Sequence, residues 1–416
     1  AICLAAVLAG GLNAVASLLT MFFLGTYATL NFVAGVETAL AQPSFRPRFR
    51  VPAAVPLLGG VGCVGAMLAI DPLATAVAVL AVLALLVALT WRGLRVHFGD
   101  VRQGLWTVIA RTGLLRLQGA RVPESWRPHL LVLTGDPTRR WYLLEMARAL
   151  DQGRGFLSVG AVLPHPDPHP TWPAEMERTI RERLARERLA CMVRVVHAPD
   201  LYAGAGKLVD AYGLGAVVPD TILLGPNEDP EELDAYCAMV AGCRRAGRHT
   251  LIARPDQHGG VGARRRVDVW WGGLERNGAL MLLLGDLLQR SEGWRDATLT
   301  LRTIVDEAAA VAPVSRNLER FVHESRLRSE VDVVARAGRT PDAIMAEVSK
   351  GADLVLLGVG EPDDDFCAYF ADLQERVAAL PATLQVMAAE EAAGLQEAVV
   401  DPEAAHEDRA RDRADA

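Results

Sequence analysis

The run PHPDPHP, residues 164–170, alternates His165, Asp167 and His169 with prolines. Imidazole nitrogens and a carboxylate are metal ligands, so the residue types would suit a divalent ion. A proline-rich connection between a strand and a helix has a plainer use, covering a surface, and no bound metal is expected. Two glycine-containing turns raise a second chemistry. Phosphate is held where backbone N–H groups crowd at a helix N-terminus, which calls for several glycines and little competing negative charge. LLGVGEPDDDF, residues 356–366, supplies Gly358 and Gly360 but follows them with Glu361 and three aspartates, and LLGPNEDPEE, residues 223–232, is no better. No nucleotide or other cofactor is expected. The residues assemble neither a nucleophile with its base nor paired acids in a local motif, so catalysis is the least supported class and the chain is not expected to be an enzyme.

Six cysteines, none in a CxxC pair, fit a reducing compartment. Cys237 and Cys243 fall on one predicted helix but not on one face. Glu37 is the one acid inside an apolar span, near its inner end, where its expected role is to snorkel to the interface.

The elements that would position these residues come from two kinds of chain. Up to about Trp91 the sequence is nearly uncharged and rich in Ala, Val and Leu; beyond Arg92 it is mixed and charged. Asn13 to Leu40 forms a long, tilted span. Val55 to Ile70 approaches a ~30 Å hydrocarbon core and Pro72 to Trp91 crosses it. Only Asp71 and Pro72 stand near the join, so the last two spans make a tight hairpin. Residues 1–10, AICLAAVLAG, are too short to cross and read as the tail of a span that begins upstream. Arg46, Arg48 and Arg50 in one loop, with Arg92 and Arg95 after the hairpin, put those segments in the cytoplasm and the Asp71 turn outside. Gly62 with Ala66, Ala74 with Ala78, and Ala84 with Ala88 are small residues four apart, a spacing that admits a second helix.

Residues 94–127 form a connection containing an amphipathic helix. Val101, Leu105, Val108, Ile109, Leu114 and Leu115 gather loosely on one side, and the helix either lies on the membrane surface or packs between subunits. From Pro128 onward, short apolar runs alternate with helical stretches, the pattern of a parallel sheet covered on both faces. Residues 128–258 make a first α/β unit and 265–389 a second. TILLG at 221–225 answers LVLLG at 354–358, and TLIAR at 250–254 answers TLQVM at 383–387, with a constant offset that indicates duplication. VDVWW, residues 267–271, opens the second unit, so strand alternation sends Trp270 and Trp271 to opposite faces as core residues. Residues 390–416 are charged and without an apolar face, as in a solvated, partly disordered tail.

Three segments also carry a resemblance. SWRPHLLVLTGDP (125–137), YGLGAVVPDTILLGPNEDP (212–230) and RRVDVWWGGLERNGALMLLLGDLLQRSEGWRD (265–296) resemble the cytoplasmic domain of cation-chloride cotransporters. FFLGTYATLNFVAGVETALAQPSFRPRFR resembles that family's tenth span and following loop, and FGDVRQGL its entry into the regulatory domain. The resemblance runs in order from about Leu12 to Met387. It implies the twelve-span bundle of the amino acid-polyamine-organocation superfamily, with this chain starting inside the ninth span. It also implies a cytoplasmic domain of two universal-stress-like parallel-sheet units.

By the same resemblance, sodium, potassium and chloride bind near the midplane on the family's first, third, sixth and eighth spans. None of those matches this chain, so no ion-coordinating residue transfers to it and the chain alone is not expected to transport. The partners implied are those upstream spans, the lipid bilayer and a second copy of the chain; nucleic acid is not among them. The tenth span borders the outer vestibule in the family, so Tyr27 and Asn31 could line it, with helix packing an equal alternative. Two other classes stay open: an amino-acid permease with an appended universal-stress-like sensor, and a membrane-anchored signalling protein.

Overall fold

The computed structural model describes residues 12–40, 51–91, 101–117, 126–135, 139–165, 171–273 and 277–389. The partial span at 1–10, Arg46, Arg48, Arg50, Arg92, Arg95, Asp167, His169 and the tail from residue 390 lie outside the described residues. The chain divides into two compact units, residues 1–117 and 118–416.

The first unit is helical: α1 (Leu12–Leu40), α2 (Ala54–Ile70), α3 (Pro72–Trp91) and α4 (Val101–Leu117). Among the described residues one stretch, Leu19–Ala39, is long and apolar enough to cross a membrane, and Ala54–Ile70 and Pro72–Ala84 are shorter apolar helices. The turn between α2 and α3 has a local cause. Asp71 ends α2 in extended geometry, and its Oδ1 accepts from the backbone N–H of Leu73 at 2.9 Å and Ala74 at 3.1 Å, capping the next helix. Large apolar side chains face outward, with Phe22 69%, Leu58 70% and Leu73 79% exposed. Each would cost ~1.5–3 kcal/mol if left in water, a loss that a hydrocarbon surround removes.

Close approach of α1 and α2 uses Gly35 and Gly60. A Cβ at Gly35 would lie 2.7 Å from the Leu57 side chain, and one at Gly60 would lie 3.0 Å from the Phe32 ring. Gly62 has nothing within 4 Å. In α4, Leu114 falls across the helix from Val101, while Arg116 falls between Leu105 and Ile109. The apolar residues therefore make no clean stripe, which departs from the expected amphipathic helix.

The second unit is a mixed α/β domain built on one ten-stranded sheet, in the order β3-β2-β1-β4-β5-β10-β9-β6-β7-β8. The first half holds β1 (Leu130–Leu133), β2 (Leu157–Pro164), β3 (Met192–Ala198), β4 (Thr221–Leu224) and β5 (His249–Arg254). The second holds β6 (Arg266–Trp270), β7 (Thr298–Val305), β8 (Ser329–Ala335), β9 (Leu354–Gly358) and β10 (Ala382–Met387). The helices α5 (Trp141–Asp151), α6 (Trp172–Arg186), α9 (Gly278–Arg290) and α10 (Val311–Glu324) cover one face. The other face carries α7 (Leu201–Ala211), α8 (Leu233–Arg245), α11 (Pro341–Val348) and α12 (Phe366–Val377). Strands such as LLVL in β1 are buried along their whole length because helices cover both sides.

The expectation of two separate parallel-sheet units needs one correction. All neighbouring strands run parallel except β5 and β10, which pair antiparallel and fuse the halves edge to edge. The registers show why the fusion is symmetric. Thr221 pairs with His249 and Leu354 with Ala382, so the two halves correspond residue by residue at one offset along β4/β9 and β5/β10. At that offset Ile252 corresponds to Gln385, and these two face each other across the antiparallel pair. A pseudo-twofold axis therefore passes between them, and each half covers an edge that the other would expose.

The tryptophans behave as strand alternation requires. Trp270 is buried under α11 and α12, its Nε1–H donating to Ser349 Oγ at 3.0 Å. Trp271 turns to the opposite face and stacks on Phe321 at 5.5 Å between ring centroids.

Candidate functional site

At the first half's topological switch point, β1 leads outward to β2 and β3 while β4 and β5 continue on the other side. Divergent connections at such a point leave a crevice beyond the C-terminal ends of the strands. Here it is a cavity of about 550 Å³, within the usual size range for small-molecule sites. It is lined by the end of β1, Leu133 to Gly135, beside Leu224 at the end of β4, Gly225 just after it, and Gly160 of β2. Its apolar wall comes from Leu201, Ala205 and Met239 on α7 and α8.

Arg140 stands directly before α5 and forms an ion pair with Glu228 of the loop after β4 at 2.9 Å. The two therefore bridge the loops on either side of the crevice. A side chain at Gly225 would forbid this: its Cβ would lie 2.7 Å from Tyr142 Oη and 3.3 Å from Arg140 Nη1. Burial pushes the Tyr142 phenol up to about 12, with nearby Arg140 opposing and Glu228 adding to the rise. Tyr236 donates to the Gly225 carbonyl at 3.0 Å, and Tyr202 to Asn227 Oδ1 at 2.9 Å. Both phenols are held above their ordinary value, chiefly by burial. These tyrosines are hydrogen-bonding walls, and the Glu232 carboxylate lies beside Tyr202.

Two lining groups differ in what they offer. Arg254 has its Nη2 committed to the carbonyls of Val377, Leu380 and Pro381 at 2.6, 2.8 and 2.8 Å, closing the C-terminal end of α12. Thr134 is fully buried, and its Oγ1 has no hydrogen-bond partner among the described residues. A buried hydroxyl left unpaired costs free energy, and alternation with Leu130 and Val132 turns this one to the face under α5, away from the α7 and α8 wall.

The corresponding end of the second half is bridged by a side chain. By the strand registers Asn277 stands where Arg140 stands, and Trp271 where Thr134 stands. Asn277 Nδ2 donates to Val359 O at 2.7 Å and its Oδ1 accepts from Ala388 N at 2.8 Å, bridging that end. Tyr369, the counterpart of Tyr236, accepts from Gly360 N at 2.9 Å. The turn of Gly358 and Gly360 is thus filled by protein, and Glu361 pairs with Arg244 at 3.2 Å.

The residues singled out from sequence fall elsewhere. His165 packs edge-on against Trp172 at 5.3 Å, and its carbonyl bonds to the His197 ring. Among the described residues no group of three metal-binding side chains comes together. Asn31 donates to the Tyr27 carbonyl at 2.9 Å and faces Gly59 of α2, while Tyr27 is 57% exposed. The five described cysteines are free, and burial pushes the Cys243 thiol up to about 12. Sequence reading missed the crevice because Thr134, Arg140, Tyr202, Glu228 and Tyr236 come from separate segments. The available signal was the Arg140 and Glu228 pair flanking the ends of two adjacent strands.

No protein-family model matches the chain. The cytoplasmic domain of a prokaryotic cation chloride cotransporter is similar over 65% of this chain and 99% of that one, at 16% identity and a TM-score of 0.48. A universal stress protein from Archaeoglobus fulgidus DSM 4304 is similar over 63% of this chain and 97% of its own, at 12% identity and a TM-score of 0.42. A functionally unknown protein from Pseudomonas aeruginosa PAO1 matches over 68% and 98%, at 12% identity and 0.43.

Proposed function

We propose that the chain is the C-terminal part of a secondary active transporter coupling chloride to sodium, potassium or both, of the cation-chloride cotransporter type. Its part in that protein is scaffold spans plus a cytoplasmic domain for regulation and dimerisation. The observation that carries this reading is the placement of the segments that resemble the family. SWRPHLLVLTGDP contains β1, YGLGAVVPDTILLGPNEDP contains β4, and RRVDVWWGGLERNGALMLLLGDLLQRSEGWRD contains β6 and α9. β1 and β4 pair directly and flank the crevice, while β6 and α9 occupy the matching place in the second half. The resembling residues are thus the ones that build the two switch points. Outward-facing apolar helices earlier in the same chain supply the membrane part.

In this reading α1, α2 and α3 all span the bilayer within a twelve-span bundle, and the α/β domain lies in the cytoplasm. Ions bind on other spans of that bundle, and Tyr27 borders the outer vestibule. A second copy of the chain is the partner, and no catalytic step is involved.

Sided thiol labelling in sealed right-side-out vesicles tests the layout. In a background with Cys3 and Cys63 replaced by alanine, Leu73→Cys should react with an impermeant maleimide added outside and Lys207→Cys should not. Labelling of Lys207→Cys from outside would overturn the arrangement. The permease alternative is separated by solute: uptake of amino acids with no dependence on chloride would favour it.

A further inference from the structure

Two thiols meet where the two halves of the α/β domain meet. Cys237 stands on α8 and Cys367 in the first turn of α12, and these helices pack against each other on one face of the sheet. Tyr236 and Phe370, one from each helix, lie ring against ring at 5.6 Å. Cys237 is buried in the core on that face, while Cys367 is half-buried and packs onto it. The Cys367 thiol donates to Asp234 Oδ1 at 3.2 Å, and the Cys237 thiol lies within hydrogen-bond reach of the Cys367 sulfur. The other described cysteines stand apart. Cys63 belongs to the helical unit, Cys191 packs on the opposite face of the sheet, and Cys243 lies about 240° round α8 from Cys237.

The repeat fixes where this contact falls. At the offset that carries Thr221 onto Leu354 and His249 onto Ala382, Asp234 corresponds to Cys367 and Cys237 to Phe370. Asp234 therefore touches its own counterpart, which puts the contact on the pseudo-twofold axis that passes between Ile252 and Gln385. Symmetry brings α8 and α12 together there, and divergence of the two sequences has left two thiols and a carboxylate at the crossing.

We propose that Cys237 and Cys367 are an oxidation site, closing to an intramolecular disulfide that staples the two halves at their axis. The step is thiol–disulfide exchange with a low-molecular-weight disulfide as oxidant. Cys367, the accessible sulfur, gives its proton to solvent and attacks one sulfur of the oxidant, releasing a first small thiolate. Cys237, deprotonating in turn, attacks the Cys367 sulfur of the mixed disulfide and releases the second. The pair loses two electrons and the oxidant is reduced to two thiols. A reducing compartment keeps the pair open, so the staple forms when small disulfides accumulate. Burial, and behind it the bond to Asp234, hold the Cys367 thiol above its ordinary value, with the Cys237 thiol pulling the other way. Exchange is therefore slow at neutral pH and quickens as pH rises. Asp234 guards the site by keeping the accessible thiol protonated.

The inference stands on the α/β domain and its test reads no transport, so it and the proposed function fail separately. The full chain in detergent micelles is incubated with millimolar glutathione disulfide, then followed by mass spectrometry of unreduced peptides and by urea unfolding. A peptide pair linked through Cys237 and Cys367 is expected, cleaved by dithiothreitol. The urea midpoint should be higher in the oxidised protein than in the reduced one, because the closed loop restricts the unfolded chain. Cys367→Ser should abolish both the link and the rise while keeping the reduced protein's midpoint. Asp234→Asn should form the link about threefold faster at neutral pH. Cys367 held as a stable mixed disulfide with glutathione, a link to a second chain, a linked protein with an unchanged midpoint, or linking no faster in Asp234→Asn would overturn the proposal.

Discussion

Asp268 is a carboxylate with no solvent exposure, held between two arginines of the strands around it. Arg266 reaches it with two nitrogens at 3.1 Å each and Arg302 with Nε at 3.0 Å; Arg302 also pairs with Asp332 on the next strand. The Arg302 side chain is 7% exposed, so removing Asp268 leaves a buried guanidinium with Asp332 as its remaining carboxylate. Asp268→Ala should cost about 3–5 kcal/mol of stability, measured as a lower urea midpoint. Replacing both members, Asp268→Leu with Arg302→Met, should recover part of that loss, because the two charges left behind, Arg266 and Asp332, reach solvent. Trp270→Phe should cost about 1–3 kcal/mol by leaving Ser349 Oγ without its donor in a buried site. At this scale the sequence showed that Trp270 and Trp271 part to opposite faces, since alternation along a strand is local. It did not show what neutralises Asp268, because Arg302 and Asp332 lie on strands contributed by later segments.

Helix α7 sits close on β2 and β3 because Gly204 has no side chain. A Cβ there would lie 2.4 Å from Val162 Cγ1 and 2.7 Å from the Ala198 Cβ. Gly204→Ala should therefore destabilise by about 1–3 kcal/mol even though alanine favours a helix. The start of β5 carries a pH-dependent contact. His249 is buried, its Nδ1 accepts from Ala389 N at 3.0 Å, and Trp126 packs edge-on at 5.8 Å. Burial holds its imidazole below the usual value, with the charge of Asp220 pulling the other way. The unfolded chain takes up a proton near pH 6.5 and the folded chain only at lower pH. Between those values the unfolded state binds more protons, so this contribution is full above about pH 6.5 and is lost as pH falls through the folded value. Urea midpoints measured from pH 7.5 to 5 should fall more steeply for the native protein than for His249→Asn. Equal slopes would contradict the assignment. Strands and crossover helices were legible as apolar runs punctuated by turn residues. The antiparallel union of β5 with β10 was not, because pairing between distant strands leaves no mark in either one.

The whole α/β domain is a repeat that has kept its geometry and lost its chemical equivalence. The pseudo-twofold between Ile252 and Gln385 preserves the strand order of each half. The ends of the switch-point strands have diverged, with Arg140 against Asn277 and Thr134 against Trp271. One end holds the cavity and the other is bridged by Asn277. The constant offset between TILLG and LVLLG exposed the duplication, but an open crevice depends on side chains from many segments and has no linear signature. Joined to outward-facing apolar helices, this domain is proposed to form the regulatory end of a chloride-coupled transporter. The most direct measurement is rubidium or sodium uptake into proteoliposomes holding the twelve-span transporter proposed to contain this chain, in chloride against gluconate. Uptake should collapse when gluconate replaces chloride; equal uptake in the two anions would contradict a chloride-coupled role.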